Sequence, residues 1–285
     1  MSAPFEQHRN LLFAVAYDVL GSVADAEDVV QETWLRWSTV EMDEVREPRA
    51  YLVRIATNQA LNRARSNAGK RESYIGPWLP EPLVEPDPAE QIVASAAREH
   101  EVSIAMLVVL ETLGPAERAV FVLREVFGLS YDEVAATLDR TPVSVRQMAH
   151  RARDHVQARR PRFEADASAQ RAATEQFLLA CVTGDMAALL DLLAPDVTLV
   201  SDGGGQAKAA RRPIEGPDKV ARFMIGIAQD ASGLDVRFAN VNGTLGVVFS
   251  EHDQASHVAL LDLDGDRVAN VYIVANPDKL RHLRR

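Results

Sequence analysis

The chain has one cysteine, few aromatic rings and no long apolar run, and each shortage closes off a class of protein. With Cys181 alone there is no disulfide framework and no zinc-type spacing of cysteines. That thiol sits in an apolar helical pattern with Phe177 and Leu178 and has no cationic neighbour in sequence, so it reads as a buried structural group. No run of about eighteen apolar residues and no basic-then-apolar leader occurs, which excludes a membrane partner and predicts a cytoplasmic protein. Aromatics make up 6% of residues, so ring stacking can carry little of any nucleic-acid binding. The remaining composition, 47% hydrophobic and 25% charged over 285 residues, excludes disorder and suits two or three globular domains. No metal or cofactor motif is present.

The charge of the chain is unevenly placed. A formal net charge of −10 argues against nucleic acid as a partner of the average surface. Residues 1–45, however, carry nine acids and two bases, residues 46–71 one acid and seven bases, and residues 72–139 thirteen acids and three bases. A second basic island, seven arginines against Asp154, runs from Arg140 to Arg162. Two basic islands in an acidic chain fit a protein that meets DNA at two separate places.

The second island belongs to a helix-turn-helix. Ser130 with Glu133 forms a capping box, and Tyr131, Val134, Ala135 and Leu138 repeat with helical spacing. After the turn Asp139 to Thr141, Thr141 caps a second helix whose first position is Pro142 and whose buried stripe is Val145, Met148, Ala149, Ala152 and Val156. Ser144, Arg146, Gln147, His150 and Arg151 are left facing outward, the donor types that read base edges in the major groove. A merely solvated basic helix would not need the caps, the turn and the basic face together.

Elsewhere the pattern predicts helices at Phe5 to Leu20, Asp25 to Trp37 and Pro48 to Arg65 or beyond. Five prolines between Pro77 and Pro88 then favour an extended linker. From Ser168 two helices broken near Gly184, a strand at Val197 to Val200 and a helix at Pro217 to Gln229 precede four strands, Leu234 to Asn242, Leu245 to Glu251, Ser256 to Leu263 and Arg267 to Ala275. Asn-Gly, His-Asp and Asp-Gly turns separate these, which predicts an antiparallel meander beside helices, an α+β domain. The predicted domains are 1–75, a linker at 76–97, 98–163, and 168–285.

On the second helix Val29, Val30, Trp34 and Trp37 face inward, while Asp28, Gln31, Glu32 and Leu35 share the other side, one apolar residue among polar ones. The run Asp25-Ala-Glu-Asp-Val-Val-Gln-Glu-Thr-Trp-Leu-Arg-Trp37, with Arg49-Ala-Tyr-Leu-Val-Arg-Ile-Ala-Thr-Asn58 and the helix-turn-helix, resembles bacterial sigma factors of the extracytoplasmic-function class. Three further motifs, Trp78-Leu-Pro-Glu-Pro82, Asp202-Gly-Gly-Gly205 and Asn276-Pro-Asp-Lys-Leu280, together resemble the subgroup with a fused SnoaL-like domain of the NTF2-like cone fold.

The resemblance implies two all-α sigma domains, core RNA polymerase and promoter DNA as partners, and no catalysis. By matching positions, Asp28, Gln31, Glu32 and Leu35 would meet the polymerase clamp. Arg46, Arg49, Arg54, Asn58, Asn62 and Arg65 would touch the upstream promoter element and its unstacked strand, while Ser144, Arg146, Gln147, His150 and Arg151 would read the more distant element. Tyr51 is balanced between stacking on a base and core packing. The resemblance further implies that Trp78, Leu79, Pro80, Asp202, Gly203, Gly204, Gly205, Asn276, Pro277, Asp278, Lys279 and Leu280 join linker and tail in a regulatory contact. In the family a lysine commonly follows the glycine run; here Gln206 intervenes and Lys208 comes later.

Two other readings stay open. One is a one-component regulator with a ligand-binding tail, the other a DNA-tethered enzyme drawing on Asp202, Asp235, His252, His257 or Tyr272, which form no spaced motif. The acidic stripe favours the sigma factor, because an ordinary regulator has no use for it. Whether a small molecule enters the cone is not legible.

Overall fold

The computed structural model describes residues 3–41, 45–85, 102–159, 167–231 and 233–283. Residues 86–101, which include the end of the expected linker, and residues 160–166, which include the end of the second basic island, lie outside the described residues. The chain divides into two compact units: one runs to Ser73 and resumes at Met106, and the other joins the segment from Tyr74 to the C-terminal part.

In the first unit, α1 (Ala3–Leu20), α2 (Val23–Trp37) and α3 (Pro48–Glu72) pack together. Gly21, at φ +67°, ends α1 in the left-handed conformation that a side chain resists, and the Ser22 hydroxyl then accepts the Asp25 amide to start α2. Leu12, Val15, Val29, Trp37, Leu52 and Ala56 are buried between the three helices.

The chain continues through α4 (Ile104–Glu111) and α5 (Pro115–Phe121), which runs into one π-helical turn at Val122–Val126 that the periodicity does not reveal. The helix-turn-helix follows as α6 (Tyr131–Leu138) and α7 (Pro142–Gln157). Both halves of the capping box form, with Glu133 N donating to Ser130 Oγ at 3.2 Å and Ser130 N to Glu133 Oε2 at 2.7 Å. The buried stripe of α7 is Val145, Met148, Ala149, Ala152 and Val156, as its spacing predicts. The two helical regions form one unit, since α3 packs on both α5 and α6.

The second unit begins at Tyr74. Helices α8 (Ala167–Thr183), α9 (Met186–Leu192) and α10 (Pro217–Asp230) accompany strands β1 (Leu193–Asp202), β2 (Ile214–Glu215), β3 (Asp235–Val241), β4 (Thr244–Glu251), β5 (Gln254–Asp264) and β6 (Arg267–Val274). The chain then makes a short helix, α11 (Pro277–Leu280).

The sheet order is β2-β1-β6-β5-β4-β3. The meander β3 to β6 is antiparallel as expected, but β1 lies parallel to β6, so the sheet is mixed. The reason is the connection: β1 is separated from the meander by α10, and a helical crossover permits parallel entry where a hairpin does not. Strand β1 is also longer than predicted, and β2 escaped prediction because two residues are too short for a pattern. Phe177, Leu189, Val220 and Met224 of the helices share one core with Leu199, Leu261, Val271 and Ile273 of the sheet. This is the α+β arrangement the tail was expected to have.

Candidate functional site

The outward residues of α7 are available. Arg146, Gln147, His150 and Arg151 are exposed and Ser144 is half-buried. Two of them have partners within the unit: Arg151 Nε donates to Glu117 Oε1 at 3.0 Å, and His150 Nδ1 lies 2.7 Å from Asp154 Oδ2. Such exposed pairs are weak and exchangeable. Arg146 lies 5.8 Å from the centre of the Tyr131 ring, within cation–π reach.

The basic face of α3 is less open. Arg46, Arg49, Arg54, Asn62 and Arg65 are exposed, but Asn58 is half-buried and its Nδ2 donates to the Arg54 carbonyl at 2.9 Å and to the Thr137 carbonyl of α6 at 3.0 Å. The amide expected to meet a base is therefore committed to the helix-turn-helix in this conformation. Arg46, Arg49 and Arg54 border a recess of about 310 Å³ whose other wall includes Glu133, Ala136 and Thr137. The Glu133 carboxyl is held below its usual range, first by its hydrogen bonds with Ser130 and then by Arg49. Tyr51 rests 5.9 Å from Trp37, ring to ring, and is half-buried, which answers the core-packing alternative for it.

The acidic stripe of α2 is not a row of free carboxylates. Arg63 of α3 reaches Asp28 at 2.7 Å, Glu32 at 3.0 Å and Asp25 at 3.3 Å, and these carboxylates hold its guanidinium further in the charged form against the effect of burial. Sequence spacing within one helix cannot show a cation arriving from another. Gln31 is exposed, and Leu35 is 64% exposed, a large apolar side chain left in water.

In the second unit the proline-rich segment converges with the glycine loop and α11 on one buried carboxylate. Asp202, at the end of β1, is fully buried. It accepts four hydrogen bonds: from Tyr74 Oη at 2.6 Å, Lys279 Nζ at 2.7 Å, the Leu79 amide at 2.8 Å and the Gly204 amide at 3.0 Å. Lys279 Nζ also donates to the Leu79 carbonyl and sits 3.9 Å from the Trp78 ring centre. Asn276 Nδ2 donates to Tyr74 Oη at 2.7 Å, while Asn276 Oδ1 caps α11 by accepting the Asp278 amide. Burial, and then donation to Asp202, push the Tyr74 hydroxyl pKa up, so it remains a donor.

The glycines let this loop close. A Cβ on Gly204 (φ +57°) would collide with the Asn276 side chain, and one on Gly205 (φ +73°) would stand 2.8 Å from Ile75. Leu79 and Leu280 are fully buried, and Pro80 is buried. Beyond Pro80 the segment pairs with the edge of the sheet. Val84 bridges Val241, the Glu85 amide donates to the Asn240 carbonyl at 3.0 Å, and Leu83 exchanges two hydrogen bonds with Asn242, each 2.9 Å. An exposed edge strand is thereby covered.

The segment predicted as an extended linker is, from Tyr74 to Glu85, a packed part of the second unit. Sequence reasoning missed Tyr74 and Asn242. The first stands outside the tryptophan motif, and the second read as a turn residue, which it also is, at φ +51°. Lys208, whose place after the glycine run was displaced, pairs with Asp230; the cation at the glycine loop is Lys279.

The candidates for catalysis do not converge. Asp202 is consumed by its four donors, Asp235 and His252 are exposed, Tyr272 is buried beside Leu260 on a neighbouring strand, and His257 lies in a separate cavity. Burial pushes the Cys181 thiol pKa up to about 12, as fits an inert core group. Among the described residues no group of acids, histidines and cysteine is placed to hold a metal, and no helix is long and apolar enough to cross a membrane.

Residues 4–70 match the model of Sigma-70 region 2 and residues 103–156 that of Sigma-70, region 4. The chain is 37% identical over 286 residues to the ECF RNA polymerase sigma factor SigJ of Mycobacterium tuberculosis, covering 96% of this chain and 91% of that protein. Against the probable ECF RNA polymerase sigma factor SigI of the same species it is 29% identical over its full length. The crystal structure of the M. tuberculosis SigJ protein superimposes with a TM-score of 0.78 at 34% identity, covering 99% of this chain and 98% of that one. Two helical regions with a basic α3 and a basic α7, matched in sequence and structure through the tail as well, show that the chain belongs to the extracytoplasmic-function family of RNA polymerase sigma factors, which bind core polymerase and promoter DNA and direct transcription initiation.

Proposed function

We propose that the C-terminal domain regulates this sigma factor in cis by holding the segment that connects its two promoter-reading regions. The observation that carries the reading is the buried Asp202 carboxylate, which takes Tyr74 and the Leu79 amide from that segment and Lys279 from the C-terminal helix. Regions 2 and 4 must span two promoter elements a fixed distance apart, so a connector fastened along Tyr74 to Glu85 limits the separations they can reach. A signal that releases the fastening shifts the population toward the spanning form.

Within the same reading, Gln31 and Leu35, with Asp28 and Glu32 once Arg63 yields them, dock on the polymerase clamp. Arg46, Arg49, Arg54, Asn58, Asn62 and Arg65 meet the upstream element and its opened strand, and Ser144, Arg146, Gln147, His150 and Arg151 read the distant one. Arg146→Ala is expected to relax choice at one base pair at a cost of about 1–3 kcal/mol, whereas Arg159→Ala weakens all promoter sequences evenly. The decisive experiment compares the intact chain with a truncation after Arg162 and a second lacking Asn276 to Arg285, in reconstituted transcription with saturating core polymerase. Both truncations should change output while DNA binding persists, and to different extents. Activity identical to the intact chain in both would end the regulatory reading.

A further inference from the structure

A second feature of the C-terminal unit has no part in the clasp. A cavity of about 510 Å³ lies between α8, α10 and the sheet, walled by Phe177, Cys181, Phe223, Met224 and Phe249, with His257 among its polar groups and Gln229 exposed beside Asp230. Folded interiors are close-packed and leave few spaces larger than a water molecule, so an apolar recess of this size stands apart from ordinary packing. Its volume falls in the range of small-molecule sites. Val182 and Val236 on its lining are 76% and 54% exposed, so apolar surface leads in from solvent.

The polar atoms of the lining define what would fit. The Thr174 hydroxyl donates to the Gln170 carbonyl at 2.7 Å and Ser201 Oγ accepts the Ala210 amide at 2.8 Å, so both have partners in their own walls. Lys208 and Asp230 neutralise one another in a single ion pair. Both ions of that pair stand near water, at the rim, so the charges of the lining cancel there and no buried counter-charge faces the interior among these lining residues.

His257 differs. Its Nδ1 lies 3.1 Å from Ser256 Oγ, and that hydroxyl donates its hydrogen to the Phe249 carbonyl at 3.2 Å. With its hydrogen committed, Ser256 Oγ accepts from Nδ1–H, which leaves Nε2 of the neutral ring as a hydrogen-bond acceptor. Burial lowers the His257 pKa and so favours that neutral form. The pairing of β4 with β5 shifts register at Phe249/Ser250, beside the Phe249↔His257 pair, a bulge of the kind that re-aims side chains at sites.

We propose that this cavity binds an uncharged, ring-bearing apolar molecule that donates one hydrogen bond, from a hydroxyl or an N–H, to His257 Nε2. The apolar walls supply the affinity, and the acceptor on His257 fixes orientation. The binding site does not depend on the regulatory role of the Asp202 clasp, and the two fail separately.

N-phenyl-1-naphthylamine, uncharged and with one N–H, serves as the probe on the full chain. Its fluorescence should rise saturably, with one molecule bound per chain. His257→Phe, which keeps the ring and removes the acceptor, should weaken binding about three- to tenfold, and Ala228→Phe, which fills the space from α10, should abolish it in a chain of unchanged circular dichroism. A readout that needs no variant is thermal unfolding: a molecule that binds only the folded chain stabilises it, so saturating probe should raise the melting temperature of the full chain. Non-saturable binding, or a melting temperature that is the same with and without saturating probe, overturns the site. Equal affinity in His257→Phe overturns the donor requirement. Should Ala228→Phe fail to fold, the melting shift decides alone.

Discussion

Each unit is tied internally by a buried cation, and the two cations are satisfied to different degrees. In the first unit Arg118 of α5 donates through Nε to the Asp18 carbonyl at 3.0 Å and through Nη1 to Glu111, which Arg71 of α3 also reaches. Its Nη2 is buried with no partner. In the second unit Lys279 lies on Asp202 and the Leu79 carbonyl, and every oxygen of Asp202 has a donor. The shortfall at Arg118 matters because a buried donor left unpaired forfeits its solvation without return. The contact of region 2 with region 4 is therefore the looser tie. Two further links, Asn58 to Thr137 and the arginines beside Glu133, are polar and near water, alongside the packing of α1 and α3 on α5 and α6. On this comparison the helix-turn-helix is expected to part from α3 more readily than the connector leaves the tail.

The comparison can be broken most decisively at Asp202. Asp202→Ala leaves Lys279 buried without its counter-charge, and a cost of about 3–5 kcal/mol is expected. Amide hydrogen exchange at Leu79, Leu83 and Glu85 should lose its protection; retention of protection would mean the clasp is held by packing alone. A smaller loss is expected from Arg118→Ala, about 1–3 kcal/mol, because the guanidinium is already short of one bond. Urea unfolding of the two variants, followed by exchange in each unit, ranks them, and a larger loss at Arg118 reverses the order argued above.

Asn58→Ala should cost about 0.5–1.5 kcal/mol, and should free the recess beside Arg46 and Arg49 without disturbing the α6 capping box. Fluorescence energy transfer between labels on α3 and α7 would register the parting, and an unchanged distance would assign the contact to Arg118 and Arg71 instead. The smallest effect belongs to α2. Glu32→Lys removes one of the three carboxylates on Arg63, a partly exposed pair whose loss costs less than about 1 kcal/mol. It should nevertheless reduce association with core polymerase in a salt-dependent pull-down, and equal binding at every salt concentration would take the clamp role from this stripe.

Sequence alone was enough for the elements whose causes are local. The caps Ser130 and Thr141, the prolines opening α3 and α7, the apolar stripe of α7 and the Asn242-Gly243 turn each act within a few residues, so a linear reading recovers them. The motifs around Trp78, Asp202 and Asn276 announced a shared purpose without saying how they would meet. That was decided by tertiary structure, since the partners of Asp202 come from positions more than a hundred residues before it and from Lys279 after it.

The same limit explains Arg63, Asn58 and the parallel pairing of β1 with β6. The partner in each case lies on another element, and spacing along one helix or strand carries no trace of it. The acceptor state of His257 was decided last of all, by a serine beside it and a carbonyl on the next strand. Hydrogen bonds act over about three ångströms and take no account of sequence distance, so the chain fixed which groups exist while the fold fixed which of them are already taken.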